Sequence, residues 1–287
     1  DPNSGFCFGV DYAIAVAERE LQTIPVLYCL GEIVHNELEV ARLANSGLKI
    51  ISHADLENLH DCRVLIRAHG EPPGTYRIAF ENNIELIDAS CPIVLHLEDA
   101  VYKGFLEMEM VNGQVVIYGK AGHAEVKGLT GQTGETAIVV GSRHDLHMID
   151  FARPVRFFSQ TTMGVAEFNE LVKIIGMEME RVSDGKPADF KWNDSICRQV
   201  SNRSVHLRNF ASRFDLVIFV SGGKSSNGLI LYKVVQEVNP NTKLVSDPGD
   251  LRSEWFTNIN TIGICGATST PLWLMEQIGN IIAEINN

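Results

Sequence analysis

Residues 84–92 read Ile84-Glu85-Leu86-Ile87-Asp88-Ala89-Ser90-Cys91-Pro92, and this stretch decides the fold class. Its apolar positions lead into a cysteine and a proline, and residues 93–102 follow with helical spacing, which predicts a strand, a turn and a helix start. Proline fits the first helical turn because its missing N–H would be unbonded there. Cys91 is thus predicted at the positive end of a helix, which stabilises a thiolate as nucleophile or metal ligand. The alternative is a buried thiol that only fills the core.

Strands and helices alternate along the rest of the chain. The strands are predicted at residues 26–30, 64–67, 84–88, 115–118, 137–140, 155–158, 216–220, 243–245 and 261–265. Helices are predicted between most of them, for example at residues 37–46, 165–175, 229–238 and 272–285. This alternation is typical of α/β proteins with largely parallel sheets.

The composition indicates a soluble globular protein. The chain has 287 residues, of which 45% are hydrophobic and 21% are charged. No apolar run reaches the ~20 residues of a membrane helix, and the first residues do not resemble an export signal. We therefore expect a cytoplasmic protein without a membrane partner.

The net charge and the cysteine spacing argue against three further classes. A formal net charge of −12 argues against a general nucleic-acid surface, since phosphate backbones are bound by clustered lysines and arginines. The six cysteines contain no Cys-x-x-Cys pair, unlike a secreted disulfide framework or a zinc knuckle. Any metal site must be assembled by the fold from distant positions.

The alternating pattern comes in three portions, with breaks near Cys91 and in the polar stretch at residues 183–187. We predict three small α/β domains, at residues 10–90, 91–186 and 187–287. Their similarity to one another is too weak to identify a repeat.

Seven predicted strands are followed by small, polar or ligand-type residues. These segments contain His35-Asn36, Ala68-His69-Gly70, Cys91, His123-Ala124-Glu125, Gln160-Thr161-Thr162, Ser225-Ser226-Asn227 and Thr268-Ser269. In open α/β sheets ligands bind at the carboxyl ends of strands, so these loops are candidates for one shared site. Ordinary turn composition is the alternative explanation for any single loop.

The residue types in these loops suggest three kinds of chemistry. Imidazoles, hydroxyls, amides and helix N-termini can hold an oxyanion such as phosphate, and no phosphate-binding P-loop motif occurs. His123 and Glu125 form a plausible proton-delivery pair. Three thiolates, Cys7, Cys91 and Cys197, could hold a metal and leave one position open.

Nine motifs in order resemble those of the bacterial 4-hydroxy-3-methylbut-2-enyl diphosphate reductases. They are Gly5-Phe6-Cys7-Phe8-Gly9-Val10, Val34-His35-Asn36, Ala68-His69-Gly70, Ala89-Ser90-Cys91-Pro92, Gly122-His123-Ala124-Glu125-Val126, Gln160-Thr161-Thr162, Ile196-Cys197, Ser225-Ser226-Asn227 and Ser269. The chain departs from many members at Phe8, Ala124 and Gly228, where alanine, proline and serine are common.

The resemblance implies a cofactor and a fold. It implies a [4Fe–4S] cluster held by Cys7, Cys91 and Cys197, with the fourth iron open to substrate, and residues 1–9 would supply the first of these cysteines. It also implies three α/β domains with mainly parallel sheets, arranged as a trefoil around the cluster.

The resemblance also implies roles for the loop residues. Glu125 is the matched proton donor, with Thr161 relaying through hydrogen bonds and His123 orienting or protonating the substrate. A larger set would hold the diphosphate: His35, His69, Thr162, Ser225, Ser226, Asn227 and Ser269.

The implied activity is the last step of the non-mevalonate isoprenoid pathway. It is a reductive dehydroxylation of an allylic alcohol diphosphate that yields isopentenyl and dimethylallyl diphosphates, with reduced ferredoxin or flavodoxin as electron donor. Two other classes remain open: a mononuclear metal phosphoesterase that uses the same cysteines, and a non-enzymatic iron–sulfur or diphosphate sensor.

Overall fold

The computed structural model describes residues 1–183, 189–223 and 225–285, and for Ser226 it describes the backbone alone. Contacts divide the chain into two compact units, the first formed by Asp1–Ile50 with Asn202–Asn287 and the second by Ile51–Ser201. Strands within the described residues belong to three sheets, of four, four and three strands. No helix in this part of the chain has the length and apolar character needed to cross a membrane.

The first unit contains the N-terminal and C-terminal elements. In chain order they are α1 (Phe8–Leu21), β1 (Leu27–Leu30), α2 (Glu37–Asn45), β2 (Leu48–Ile51, its last residue in the second unit), α9 (Arg203–Ala211), β9 (Leu216–Val220), α10 (Ser226–Val238), β10 (Thr242–Val245), β11 (Ile262–Gly266) and α11 (Leu272–Ile285). Strand β1 neighbours β2, and β9 lies between β10 and β11 with parallel pairing on both sides. All five residues of β9 are buried because apolar side chains cover both of its faces.

The second unit contains the central part of the chain. Its elements are α3 (His53–Leu56), β3 (Arg63–Ile66), α4 (Pro73–Glu81), β4 (Glu85–Asp88), α5 (Pro92–Met110), β5 (Gln114–Tyr118), α6 (Ala124–Gly131), β6 (Ile138–Val140), β7 (Val155–Ser159), α7 (Val165–Val182), β8 (Phe190–Asn193) and α8 (Arg198–Ser201). Strands β3 and β4 pair in parallel, and a second sheet has the order β6-β5-β7-β8, again parallel. Phe157 and Phe168 stack with ring centroids 5.1 Å apart in the core beneath it.

Most predicted elements are present at nearly their predicted bounds. The stretch at residues 84–92 forms β4, a short turn and the start of α5, with Pro92 as the first helical residue. Strands β2 and β8 were not predicted, because Leu48–Ile51 is a short segment with an exposed centre and Phe190–Asn193 is mostly exposed. The predicted α/β class with mainly parallel sheets is confirmed. Of the two predicted domain boundaries, 90/91 stays a prediction and 186/187 lies outside the described residues.

Strand register brings pairs of candidate loops side by side. In the second unit Ile66 is paired with Asp88, so the loop after β3 lies beside the turn that contains Cys91. Tyr118 is paired with Ser159, which places the loop before α6 beside the one after β7. In the first unit Val220 is paired with Gly266. Parallel strands end at the same sheet edge, so these pairings position the site residues.

Candidate active site

Cys7 and Cys91 each lie at the start of a helix. Cys7 is the N-cap of α1, and its N–H donates to the Thr268 carbonyl at 3.1 Å within the first unit. Cys91 is the N-cap of α5, and its N–H donates to the Ala68 carbonyl at 3.1 Å within the second unit. Both sulfurs therefore belong to residues at the positive end of a long helix, where a thiolate is stabilised.

Cys197 directly precedes the short helix α8. Its N–H donates to the Thr161 carbonyl at 2.8 Å, which ties it to the loop after β7. Cys7, Cys91 and Cys197 are partly exposed, whereas Cys29 and Cys265 are fully buried. The three predicted ligands are thus accessible thiols.

The carboxyl of Glu125 is buried and accepts two hydrogen bonds from Thr161. Only 1% of Glu125 is exposed. The Thr161 N–H donates to Glu125 Oε1 at 2.7 Å, and the Thr161 hydroxyl donates to Glu125 Oε2 at 2.9 Å. Each oxygen of the acid is therefore fixed by the loop that also anchors Cys197.

The proton affinity of Glu125 is set by two opposing effects. Burial raises the pKa of Glu125 to about 7, since removal from water penalises the charged form, while the two hydrogen bonds from Thr161 act in the opposite direction. A carboxyl with a pKa near neutrality can hold a proton and release it under physiological conditions. Glu125 therefore has the properties of a general acid.

His123 lies beside Glu125 in a defined tautomer. It is the N-cap of α6, and its Nδ1 accepts from the Glu125 N–H at 3.2 Å. Because Nδ1 is the acceptor, the neutral ring carries its proton on Nε2. The His123 ring meets the His69 ring edge to face, with centroids 5.4 Å apart. The structure thus brings two predicted imidazoles together in the second unit.

His35 lies in the first unit, in the loop before α2. Its Nδ1 is 3.3 Å from Glu32 Oε2, and the residue lines an open recess together with Val34 and Asn36. Gly222, in the loop after β9, packs on this segment so closely that a Cβ there would lie 2.8 Å from the His35 carbonyl oxygen. The absence of a side chain at Gly222 therefore lets the His35 loop approach the loop that leads to Ser225.

The hydroxyl and amide residues of the first unit form a second cluster. Ser225 Oγ and Ser269 Oγ are 3.2 Å apart, and Asn227 Nδ2 donates to Thr268 Oγ1 at 3.2 Å. Ser225 also caps α10 by accepting from the Gly228 N–H. Several small donors therefore converge at the start of one helix, an arrangement suited to an anion.

Two of the predicted diphosphate-binding residues, Thr162 and Ser226, have few described contacts. Thr162 is exposed and its Oγ1 accepts from Gln160 Nε2 at 2.9 Å, which leaves its hydroxyl hydrogen available. The Ser226 side chain lies outside the described part of the structure, as does Lys224.

The structure adds contacts and residues to which the sequence gave no role. Thr268, in a predicted candidate loop, accepts from the Cys7 N–H and from Asn227 Nδ2. Glu71 and Glu98 are buried carboxyls in the second unit. They were missed because acidic residues are usually exposed. The position of Glu98 on the apolar face of α5, between Val94 and Val101, was the signal that could have found it.

The fold and these loops define a class: an α/β protein with small parallel sheets that presents thiols, imidazoles and a buried acid at the strand ends. The family follows from comparison with known proteins. The chain belongs to the LytB protein family, whose model matches residues 2–283.

Relatives and solved structures agree with this assignment. The chain is 49% identical to the 4-hydroxy-3-methylbut-2-enyl diphosphate reductase of Parabacteroides distasonis, over 100% of this chain and 97% of the relative. It is 46% identical to the reductase of the same name from Porphyromonas gingivalis, over 99% and 98% of the two chains.

Two solved structures cover 98% of this chain. One is an (E)-4-hydroxy-3-methyl-but-2-enyl diphosphate reductase described as the terminal enzyme of the non-mevalonate pathway, with 31% identity, 97% of that chain covered and a TM-score of 0.75. The other is the E-1-hydroxy-2-methyl-but-2-enyl-4-diphosphate reductase from Plasmodium falciparum, with 25% identity, 86% of that chain covered and a TM-score of 0.78. The predicted family and oxidoreductase class are confirmed.

Proposed function

We propose that this protein removes the hydroxyl group of (E)-4-hydroxy-3-methylbut-2-enyl diphosphate by reduction and yields isopentenyl and dimethylallyl diphosphates, the last step of the non-mevalonate pathway. The observation that carries the proposal is the buried acid Glu125, bonded through both oxygens to Thr161, in a chain of the reductase family. The reaction consumes two electrons and two protons and releases one water, so it requires a reductant and a positioned proton donor.

The donor set fits an iron–sulfur cluster. Cys7, Cys91 and Cys197 would hold it, since each directly precedes a helix and is partly exposed. A [4Fe–4S] cluster with one open iron would supply a Lewis acid for the substrate hydroxyl and a path for the two electrons. The three thiolates would bind three irons of such a cluster, which would leave one iron for the substrate.

Replacing one cysteine tests this assignment. We expect Cys91→Ser to lower bound iron, sulfide and reductase activity together, because a serine hydroxyl is a poor substitute for a thiolate. Cys62→Ser is the matched control, since Cys62 lies outside the proposed set and is also partly exposed. Unchanged iron and sulfide in the Cys91 variant would contradict the assignment.

Glu125 and its neighbours would deliver protons. The protonated Glu125 carboxyl donates to the departing oxygen, which leaves as water, and the Thr161 hydroxyl relays within the pair. His123, with its proton on Nε2, orients the substrate or protonates it from the other side. This division uses Glu125 in the protonated form that its burial favours, and His123 in the tautomer that its hydrogen bond sets.

The diphosphate would be held mainly by neutral donors. The proposed set is His35, His69, Thr162, Ser225, Ser226, Asn227 and Ser269. Burying a multiply charged anion requires most of its oxygens to be hydrogen-bonded, which explains why small donors come from separate loops. Reduced ferredoxin or flavodoxin as electron donor and a cytoplasmic location complete the proposal.

Anaerobic analysis of the purified protein tests the function. We expect near-stoichiometric iron and sulfide, and consumption of the alcohol diphosphate that depends on dithionite and a mediator dye. Zinc or a single iron without sulfide, with hydrolysis that needs no reductant, would support the phosphoesterase alternative. Cluster and ligand binding without turnover would support the sensor.

A further inference from the structure

Glu98 is a buried carboxyl that two glycines accommodate. It lies on the inward face of α5, and 7% of the residue is exposed. A Cβ at Gly70 would lie 2.2 Å from Glu98 Oε1, and a Cβ at Gly128 would lie 2.8 Å from the same oxygen. Gly70 follows His69, and Gly128 is one turn after Glu125 on α6. The carboxyl therefore fits between the His69 loop and the helix that carries the proposed acid.

Glu98 Oε1 has no hydrogen-bond partner among the described residues. A buried polar atom without a partner is costly, so such a position calls for a bound water or for a role in the chemistry. Gly128 and Glu125 are three residues apart on α6 and share one face of that helix. The unpartnered oxygen therefore packs against the face that bears Glu125.

A second pair of groups connects this region with solvent. His53 Nε2 lies 2.7 Å from Glu71 Oε2, and the Thr75 hydroxyl donates to the same oxygen at 3.1 Å. The His53 side chain is 48% exposed, whereas that of Glu71 is 2% exposed. A Cβ at Gly128 would lie 3.6 Å from the Glu71 backbone nitrogen, so the backbone of Glu71 and the carboxyl of Glu98 both lie against this residue of α6. The negative charge of Glu71 also acts on Glu98. Acid–base groups thus extend from the surface to α6.

The surroundings of Glu98 favour its protonated form. Burial raises the pKa of Glu98 to about 8, and the negative charges of Asp88, Glu71 and Glu125 act in the same direction. The hydroxyl of Tyr76 on α4 is a further titratable group near these carboxyls. Glu98 therefore holds a proton at the pH where Glu125 begins to lose its own.

We propose that Glu98 is the proton reserve of Glu125, and that its proton enters from solvent through the His53–Glu71 pair. This inference rests on the proposed function. After Glu125 gives its proton to the departing oxygen, the Glu98 proton passes through a bridging water to the Glu125 carboxylate and makes it available for the second proton transfer. The electrons come from the external reductant, and solvent reprotonates Glu98. Glu98 acts only through Glu125 and is a positioning residue.

Steady-state kinetics test the reserve. We expect Glu98→Gln to lower kcat about 10-fold or more at pH 8 with little change in KM, iron or sulfide, because only proton resupply is lost. Glu98→Asp should recover part of the rate, and Glu109→Gln, an exposed site on the same helix, is the control. His53→Gln should lower kcat to a smaller extent. Wild-type kcat and pH dependence in Glu98→Gln would overturn the reserve, and wild-type kcat in His53→Gln would overturn the entry route.

Infrared titration tests the same inference without turnover. In the wild type one carbonyl band of a protonated carboxylic acid should be lost with a midpoint near pH 8, and that component should be absent from Glu98→Gln. The band of Glu125, lost near pH 7, should remain in this variant. In Glu125→Gln the midpoint should move to lower pH, since one negative charge is removed. A midpoint that does not move would overturn the coupling. If the wild type shows this titration but no reductant-dependent turnover, the proposed function fails and the protonated state of Glu98 stands.

Discussion

At the scale of residues, the pair Glu125–Thr161 explains how a carboxyl can serve as an acid near neutral pH. Burial alone favours the protonated form, whereas the two hydrogen bonds from Thr161 favour the ionised form. Their balance leaves the pKa of Glu125 at about 7. A fully exposed glutamate would be ionised at this pH and could not donate.

Replacing the acid with its amide tests its role. We expect Glu125→Gln to retain cluster and substrate binding but to lose about 100-fold or more in kcat, since general acids contribute that much. In the wild type, kcat should fall as the pH rises through about 7, because the donating form is lost. Iron content, substrate affinity and the pH profile of kcat measure these effects. Wild-type turnover in the variant would remove the acid role.

The hydroxyl of Thr161 should lower the pKa of Glu125. In Thr161→Val the backbone N–H bond to Glu125 remains and the hydroxyl bond is lost, so the pKa of Glu125 should rise. The descending limb of the kcat profile should then shift upward by up to about one pH unit. Thr161→Ser keeps the hydroxyl and should keep the wild-type midpoint. A downward shift in the valine variant would contradict the hydrogen-bond argument.

At the scale of elements, helix starts place the candidate residues. Cys7, Cys91 and His123 are N-caps of α1, α5 and α6, and Ser225 is the N-cap of α10. Residues at these positions lie beside unbonded N–H groups and the positive end of the helix. The same backbone geometry therefore positions two thiols, an imidazole and a hydroxyl of the proposed site.

The cap of α2 offers a test at this scale. Asn36 is 2% exposed, and its side chain accepts from the Glu39 N–H at 3.0 Å, directly after His35. We expect Asn36→Ala to lower the free energy of unfolding by about 1 kcal/mol because one N–H of the first turn loses its partner. Urea denaturation measures the change. Asn45→Ala, at the exposed end of the same helix, is the control, and equal effects of the two substitutions would refute the cap.

At the scale of the whole molecule, the buried acids link stability to pH. The pKa values of Glu98 and Glu125 are raised to about 8 and about 7, so the folded protein binds more protons than the unfolded chain above pH 4.5. The stabilisation that these two acids contribute is fully present below pH 4.5. It is lost progressively as the pH rises to about 8. The acids therefore make the fold less stable in mildly alkaline solution.

Denaturation at several pH values checks this linkage. From pH 5 to pH 9 the wild type should lose about 6 kcal/mol of unfolding free energy relative to the double variant Glu98→Gln with Glu125→Gln. The measurement is the urea midpoint of the two proteins under anaerobic conditions. Parallel pH profiles would show that these acids ionise without a penalty in the folded state.

Much of the fold and many of the candidate residues could be predicted from the sequence. The alternation of strand-like and helical segments predicted nine of the described strands. The order of the motifs predicted the family. Strands β2 and β8 were missed, since short segments with exposed positions do not carry the apolar pattern that identifies a buried strand.

Local sequence determined which residues follow each strand and begin each helix, because periodicity and proline act over a few neighbouring positions. Tertiary structure alone decided that Glu125 is buried against Thr161, 36 residues away, and that Glu98 lies between Gly70 and Gly128. The pKa of a carboxyl depends on its exposure to water and on charges brought near it by the fold. The sequence by itself therefore determined the identity of the candidate acid, and the packing of distant segments decided its proton affinity.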